Sequence, residues 1–119
     1  MQSFRNLRVW EKSHRLTLDV YTSSKAFPRD EMFGLTSQMR RASASIWMNV
    51  AEGCCRKGDA EMARFLQIAL GSASELEHQL LLAHDLDYLR DQAYQRLTVQ
   101  VVEVKKMLSS LMQKVKGFN

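Results

Sequence analysis

The 119-residue sequence predicts an all-α protein, an antiparallel up-down-up-down four-helix bundle. Three observations carry that expectation. One proline and five glycines leave little turn-forming material for a sheet protein. Along four stretches, apolar residues recur in alternating steps of three and four, the spacing of a helix seam packed in a bundle. The links between those stretches are short, as neighbouring antiparallel helices require. Hydrophobic residues at 45% and charged residues at 25% fit one globular domain over residues 1–119, long enough to bury a core.

The first helix is expected from about Leu7 to Ala26, with a seam of Val9, Ser13, Leu16 and Val20 widened by Trp10, Thr17 and Tyr21. Phe27-Pro28 ends it, because proline cannot continue a helix. Arg29-Asp30-Glu31 forms a turn whose acids suit a helix start. The second helix begins near Met32 and ends around Gly53, a residue suited to C-terminal capping. Its seam is Leu35, Met39, Ala42, Ile46, Asn49 and Gly53, mostly small, so a neighbouring backbone can come close. Ile46-Trp47-Met48 then poses a problem. Adjacent helix residues sit about 100° apart, so one core cannot take all three. A second buried surface is implied, most simply a partner chain.

Asp59 is the expected N-cap of the third helix. Its seam is Met62, Leu66, Ala69, Ala73, Leu76, Leu80 and Ala83. Asp85 to Leu89 makes the last turn. The fourth seam follows at Tyr94, Leu97, Val101, Val104, Leu108, Leu111 and Val115.

No apolar run approaches membrane-spanning length, and Met1-Gln2-Ser3 lacks a signal-peptide core, so the expectation is a cytoplasmic protein without a membrane partner. Cys54 and Cys55 are adjacent, and no further cysteine completes a soft-metal site. They are expected as thiols at a helix end.

A bundle invites a carboxylate-bridged di-iron site, which needs inward-pointing Glu-x-x-His pairs. Glu11/His14 and Glu75/His78 have that spacing. Counted from the seams, Glu11 lies about 200° from Val9, and His78 about 200° from Leu76 and Leu80. The ligands point the wrong way. Phosphate loops, nucleophile elbows and zinc-ligand spacings are missing, and His84 has no catalytic companion. The expectation is a protein without enzymatic activity, metal or cofactor.

Phe4-Arg5-Asn6-Leu7-Arg8-Val9-Trp10-Glu11-Lys12, Phe27-Pro28, Glu31, Gly34-Leu35, Gln38-Met39-Arg40-Arg41-Ala42, Ser45-Ile46, Asn49-Val50-Ala51-Glu52-Gly53, Phe65-Leu66, Gly71-Ser72 and Glu75-Leu76-Glu77 follow one order and spacing. This pattern resembles the four-helix-bundle family named for proteins encoded in intervening sequences of bacterial 23S rRNA genes. The resemblance runs from Phe4 to about Leu89. It implies a bundle that assembles into a homopentamer. It also implies kinship with the accessory protein of diversity-generating retroelements, a basic barrel that binds nucleic acid and reverse transcriptase. Two departures fall in the second helix. Trp47 and Met48 stand where the family usually has a proline and a small polar residue, and Cys54-Cys55 where it often has a glycine.

Net charge is +4 and the isoelectric point about 9.3, mildly basic and compatible with nucleic acid. In an up-down-up-down bundle one end gathers Arg5, Arg8, Lys12, Arg56, Lys57, Lys114 and Lys116 against Glu11, Glu52, Asp59 and Glu61. The other holds Lys25, Arg29 and Arg90 against Asp30, Glu31, Asp85, Asp87 and Asp91. Helix dipoles account for the lysines ending the fourth helix and for Asp91 at its start. They do not account for Arg5 and Arg8 at a helix start. The basic cluster is the candidate nucleic-acid surface, and a solvated charge pattern is the alternative.

Arg40, Arg41, Trp47 and Met48 on the second helix, with Ile68, Glu75 and Leu82 on the third, mix apolar and complementary charged groups as subunit contacts do. The alternative is that Trp47 and Met48 fold down over their own bundle. The sequence therefore points to a homo-oligomeric ring that binds structured RNA, or an RNA-containing complex, by shape and phosphate. The second reading is a scaffold ring that docks a protein and no nucleic acid.

Overall fold

The computed structural model describes Phe4 and residues 7–117. The described residues form four α-helices: α1 (Arg8–Ser23), α2 (Leu35–Cys55), α3 (Asp59–Asp85) and α4 (Asp91–Val115). Two single 3₁₀ turns, Ser24–Ala26 and Arg29–Glu31, join α1 to α2. Among the described residues there is no strand, and no helix is long and apolar enough to cross a membrane. A helix of 27 residues such as α3 spans about 40 Å at 1.5 Å per residue, close to the 43 Å long axis of the molecule.

Contacts between neighbouring helices run in opposite sequence order. Trp10 of α1 meets Trp47 of α2, and Ser24, just past α1, meets Arg40 of α2. On α2 and α3, Ser45 meets Ser72, while Gly53 abuts Met62 and Phe65. Glu77 of α3 pairs with Lys105 of α4, and His84 with Asp91. Asp19 and Lys12 of α1 pair with Arg96 and Glu103 of α4.

The α1 and α3 seams pack as the periodicity predicts. Val9, Ser13, Leu16 and Val20 are buried, as are Leu66, Ala69, Ala73, Leu76, Leu80 and Ala83, with Met62 packed at the core's edge. On α4, Leu97, Val101, Val104 and Leu108 are buried, joined by Met112, while Tyr94, Leu111 and Val115 flank the core. Small hydroxyls let α1 and α2 come close: the buried Thr17 hydroxyl lies within reach of the carbonyls of Ser13, at 2.8 Å, and Ser43, at 3.0 Å.

The start of α3 departs from expectation in one way, and helix α2 in three. It starts at Leu35 rather than Met32, because residues 32–34 turn and leave Phe33 93% exposed. Glu31 supplies the start: its Oε1 accepts the Leu35 N–H at 3.2 Å, while its Oε2 accepts the Tyr88 hydroxyl at 3.0 Å. Next, Val50 replaces Asn49 in the seam, a step of four from Ile46 that keeps pace with 3.6 residues per turn. Asn49 is half-buried and donates Nδ2 to the Ser45 carbonyl at 2.8 Å. Gly53, third, does not end the helix. It is buried inside α2, where an added Cβ would lie 3.2 Å from Phe65 Cβ. Its role is close approach to α3. Finally, Asp59 is not the cap of α3. Gly58 holds that position with φ +89°, a left-handed backbone that suits glycine, and Asp59 is the first helical residue.

Candidate nucleic-acid interface

The start of α1, the α2–α3 link and the last turns of α4 meet at one end of the bundle. Two open clefts lie there. One, of about 620 Å³, is lined by Arg56, Lys57 and Lys114 over a floor including Cys54, Met62 and Leu111. The other, of about 360 Å³, is lined by Arg8, Lys106 and Lys114 over Leu7, Val9 and Met107. Lys114 and Leu111 border both, so the two form one groove across the bundle end.

The cations of this groove differ in how free they are. Among the described residues, Arg8, Lys57, Lys106 and Lys114 are exposed and make no ion pair. Lys116, one residue past α4, is also exposed and has no ion-pair partner among the described residues. Arg56 is bound to Glu52 one turn back on α2 and lies over the Phe65 ring at 5.0 Å. Lys12 is held by Glu103 of α4 at 3.0 Å and does not line the groove. Arg5 lies outside the described residues. Asp59 is the acid within the groove. Lys106 was not among the residues expected from sequence. Its signal was present, since Lys106 and Lys114 stand eight positions apart and so share a helix face.

Cys54 forms part of the floor. Burial, and then the neighbouring Cys55, push its thiol above the ordinary range. A thiol so held stays protonated at neutral pH, the opposite of what a nucleophile or metal ligand needs.

The residues expected to form a subunit contact do not share one surface. Arg40 turns in on its own chain, donating Nε to the Ser24 hydroxyl at 2.9 Å and lying over the Tyr21 ring. Trp47 is half-buried against α1, its ring 5.9 Å from Trp10 and 5.1 Å from His14. The outward placement expected for both is corrected: each folds across the close α1–α2 contact. Met48 is exposed and lines a separate aromatic cleft. Arg41 and Glu75 line one shallow groove between α2 and α3. Ile68 and Leu82 are 41% and 49% exposed, each seven positions from Glu75 along α3.

The two Glu-x-x-His pairs diverge. Glu11 pairs with Arg15 at 3.1 Å, and His14 stacks on Trp10 and Trp47. His78 contacts the Ser74 carbonyl of its own helix at 2.9 Å. His84 joins the α3 end to α4, with Nε2 at 2.7 Å from Asp91 and its ring stacked on Tyr94. The other bundle end carries Asp30, Glu31, Asp85, Asp87 and Asp91, where the Glu31–Tyr88 hydrogen bond ties its two loops together.

A family model described as 23S rRNA-intervening sequence protein matches residues 5–110. A 1.70 Å crystal structure from Bacteroides thetaiotaomicron VPI-5482, described as a protein with unknown function from the S23 ribosomal protein family, is similar in fold. It is 24% identical, with a TM-score of 0.81, over 88% of this chain and 95% of that one. None of the curated proteins matches the sequence.

Proposed function

Because the chain belongs to the 23S rRNA-intervening sequence protein family, we propose that it is a non-enzymatic, cytoplasmic, homo-oligomeric bundle that binds structured RNA or an RNA-containing complex. One observation carries the reading: Arg8, Lys57, Lys106 and Lys114 line two adjoining clefts at one end and, among the described residues, make no ion pair. Free cations in a shared concavity suit a phosphate backbone, and each displaced counterion favours binding. Among the described residues the groove sets cations over an apolar floor, which suits recognition by shape and phosphate.

The antiparallel up-down-up-down arrangement rests on the opposed contacts between helices. It puts the chain's basic groove and its acidic loops at opposite ends. Assembly into a pentameric ring is part of the same proposal. For its contact we favour Arg41, Ile68, Glu75 and Leu82, the expected residues exposed on the α2–α3 side. A ring would repeat the groove, so weak single contacts would add. That same apolar stripe favours the second reading, a scaffold that docks a protein and no nucleic acid.

The test is a binding titration with RNA duplex, DNA duplex and RNA–DNA hybrid over a range of salt. The expected result is affinity that falls steeply as salt rises. Absence of salt-sensitive binding to all three, with a protein partner retained after nuclease treatment, supports the scaffold instead.

A further inference from the structure

Both of the chain's tryptophans stand in one cleft beside the cationic groove. We infer that this cleft takes an unpaired nucleobase of the nucleic acid whose phosphates lie along that groove, an inference that rests on the nucleic-acid reading above. The cleft has a volume of about 540 Å³. Trp10 and Trp47 line it with Phe4 and Met48, and Glu52 and Cys55 stand at its α2 side.

The platform is a cluster of rings packed on one another. Trp10 lies 5.1 Å from Phe4 and 5.9 Å from Trp47, and His14 stacks on both indoles at 5.6 and 5.1 Å. The Nε1 atoms of both tryptophans are shielded and have no hydrogen-bond partner. The cleft therefore offers a ligand aromatic surface rather than an indole N–H. Aromatic surface of this kind stacks bases without regard to their identity.

Charge decides which part of a nucleotide enters. Among the described residues no cation lines the cleft, and its one carboxylate, Glu52, is already paired with Arg56, so the uncharged base fits and the phosphate has no partner there. Glu52 is the ion-pair partner of Arg56, which lines the cationic groove, and Cys55 follows Cys54 of that groove's floor. The aromatic and cationic surfaces are thus linked through the Glu52–Arg56 pair at the end of α2. A base splayed from a loop or bulge, still tethered to its backbone, matches that pairing.

Because no other tryptophan contributes, intrinsic fluorescence reports on this cleft. The probes are single-stranded oligoadenylate and a blunt RNA duplex of equal nucleotide count. Oligoadenylate should quench the tryptophan emission as it binds, and the duplex should bind without quenching. Ala51 also lines the cleft. Ala51→Met fills it without changing charge, and should weaken oligoadenylate binding about tenfold while leaving duplex affinity unchanged. Oligoadenylate that binds the wild-type protein without quenching overturns the inference and leaves the phosphate groove standing, whatever the variant does. If neither probe binds, both readings fall. Tryptophan emission that shifts on dilution without RNA assigns the cleft to a second copy of the chain, and also overturns the inference.

Discussion

Arg96 of α4 grips Asp19 of α1 with both arms of its guanidinium, Nε donating to Oδ2 at 2.9 Å and Nη2 to Oδ1 at 3.0 Å. Gln100 donates to the same carboxylate at 2.8 Å, and Ser23 at 3.1 Å. The chain's first and last helices are joined by this paired geometry, which a single lysine could not reproduce.

The Arg96 hydrogen bonds, opposed by burial and aided by Gln100 and Ser23, hold the Asp19 carboxyl below its ordinary value. Its contribution is therefore complete above the unfolded pKa of about 3.9 and is lost as pH falls through the lower folded value. Asp19→Asn should cost about 1 kcal/mol at neutral pH, since Arg96 is half exposed and water screens the pair. The difference between the two proteins should shrink as the pH drops below the carboxylate range. Urea unfolding midpoints at neutral and acid pH measure it, and a pH-independent gap would contradict the assignment.

Gly53 and Gly71 both lie inside helices, and their environments differ. A Cβ at Gly53 meets Phe65 Cβ at 3.2 Å and the Met62 carbonyl at 3.4 Å, whereas a Cβ at Gly71 meets nothing within 4 Å. Gly71→Ala should stabilise by about 1 kcal/mol through helix propensity alone. Gly53→Ala gains the same propensity but must push α2 from α3, so it should destabilise by about 1 kcal/mol net. Thermal melting of the two variants should move in opposite directions. A rise for both would mean that the α2–α3 contact yields freely.

Seams with one apolar stripe, such as α1 and α3, were legible because helical periodicity alone chooses the buried side. Helix α2 was harder, because Ile46, Trp47 and Met48 all demand cover and only the tertiary neighbours decide which is given it. Trp47 found α1, and Met48 did not. Gly53 has two roles that a sequence cannot separate, ending a helix or admitting a neighbour. The gathering of cations at one end followed from the order of the helices. Which of them are free did not, since Lys12 meets Glu103 only once α1 and α4 are side by side.

That distinction sets the next prediction. Reversing Arg8, Lys57, Lys106 and Lys114 to glutamate should abolish RNA binding and leave the helical content unchanged, since none is buried. Single neutral replacements should each lower the slope of log K against log salt by about 0.7 on single-stranded RNA. Lys12→Gln should change that slope little, because Lys12 is committed to Glu103. Arg29 and Arg90, at the acidic end, should also be indifferent. Equal effects from every lysine would show that net charge acts, and not the groove.

The final prediction concerns assembly. Light scattering should give a mass of about five protomers if the outer α2–α3 face closes a heterologous contact into a ring. Ile68 is partly exposed on that face and Trp47 is packed within the chain, so glutamate at the two positions should act differently. Ile68→Glu places an unpaired charge in the contact, and should give monomers whose helical content is intact. Trp47→Glu removes an indole from the stack with Trp10 and His14, and should lower the melting temperature whether or not a ring forms. Wild-type protein that stays monomeric at high concentration would refute the ring. An Ile68→Glu protein that keeps its full mass would move the contact to another face.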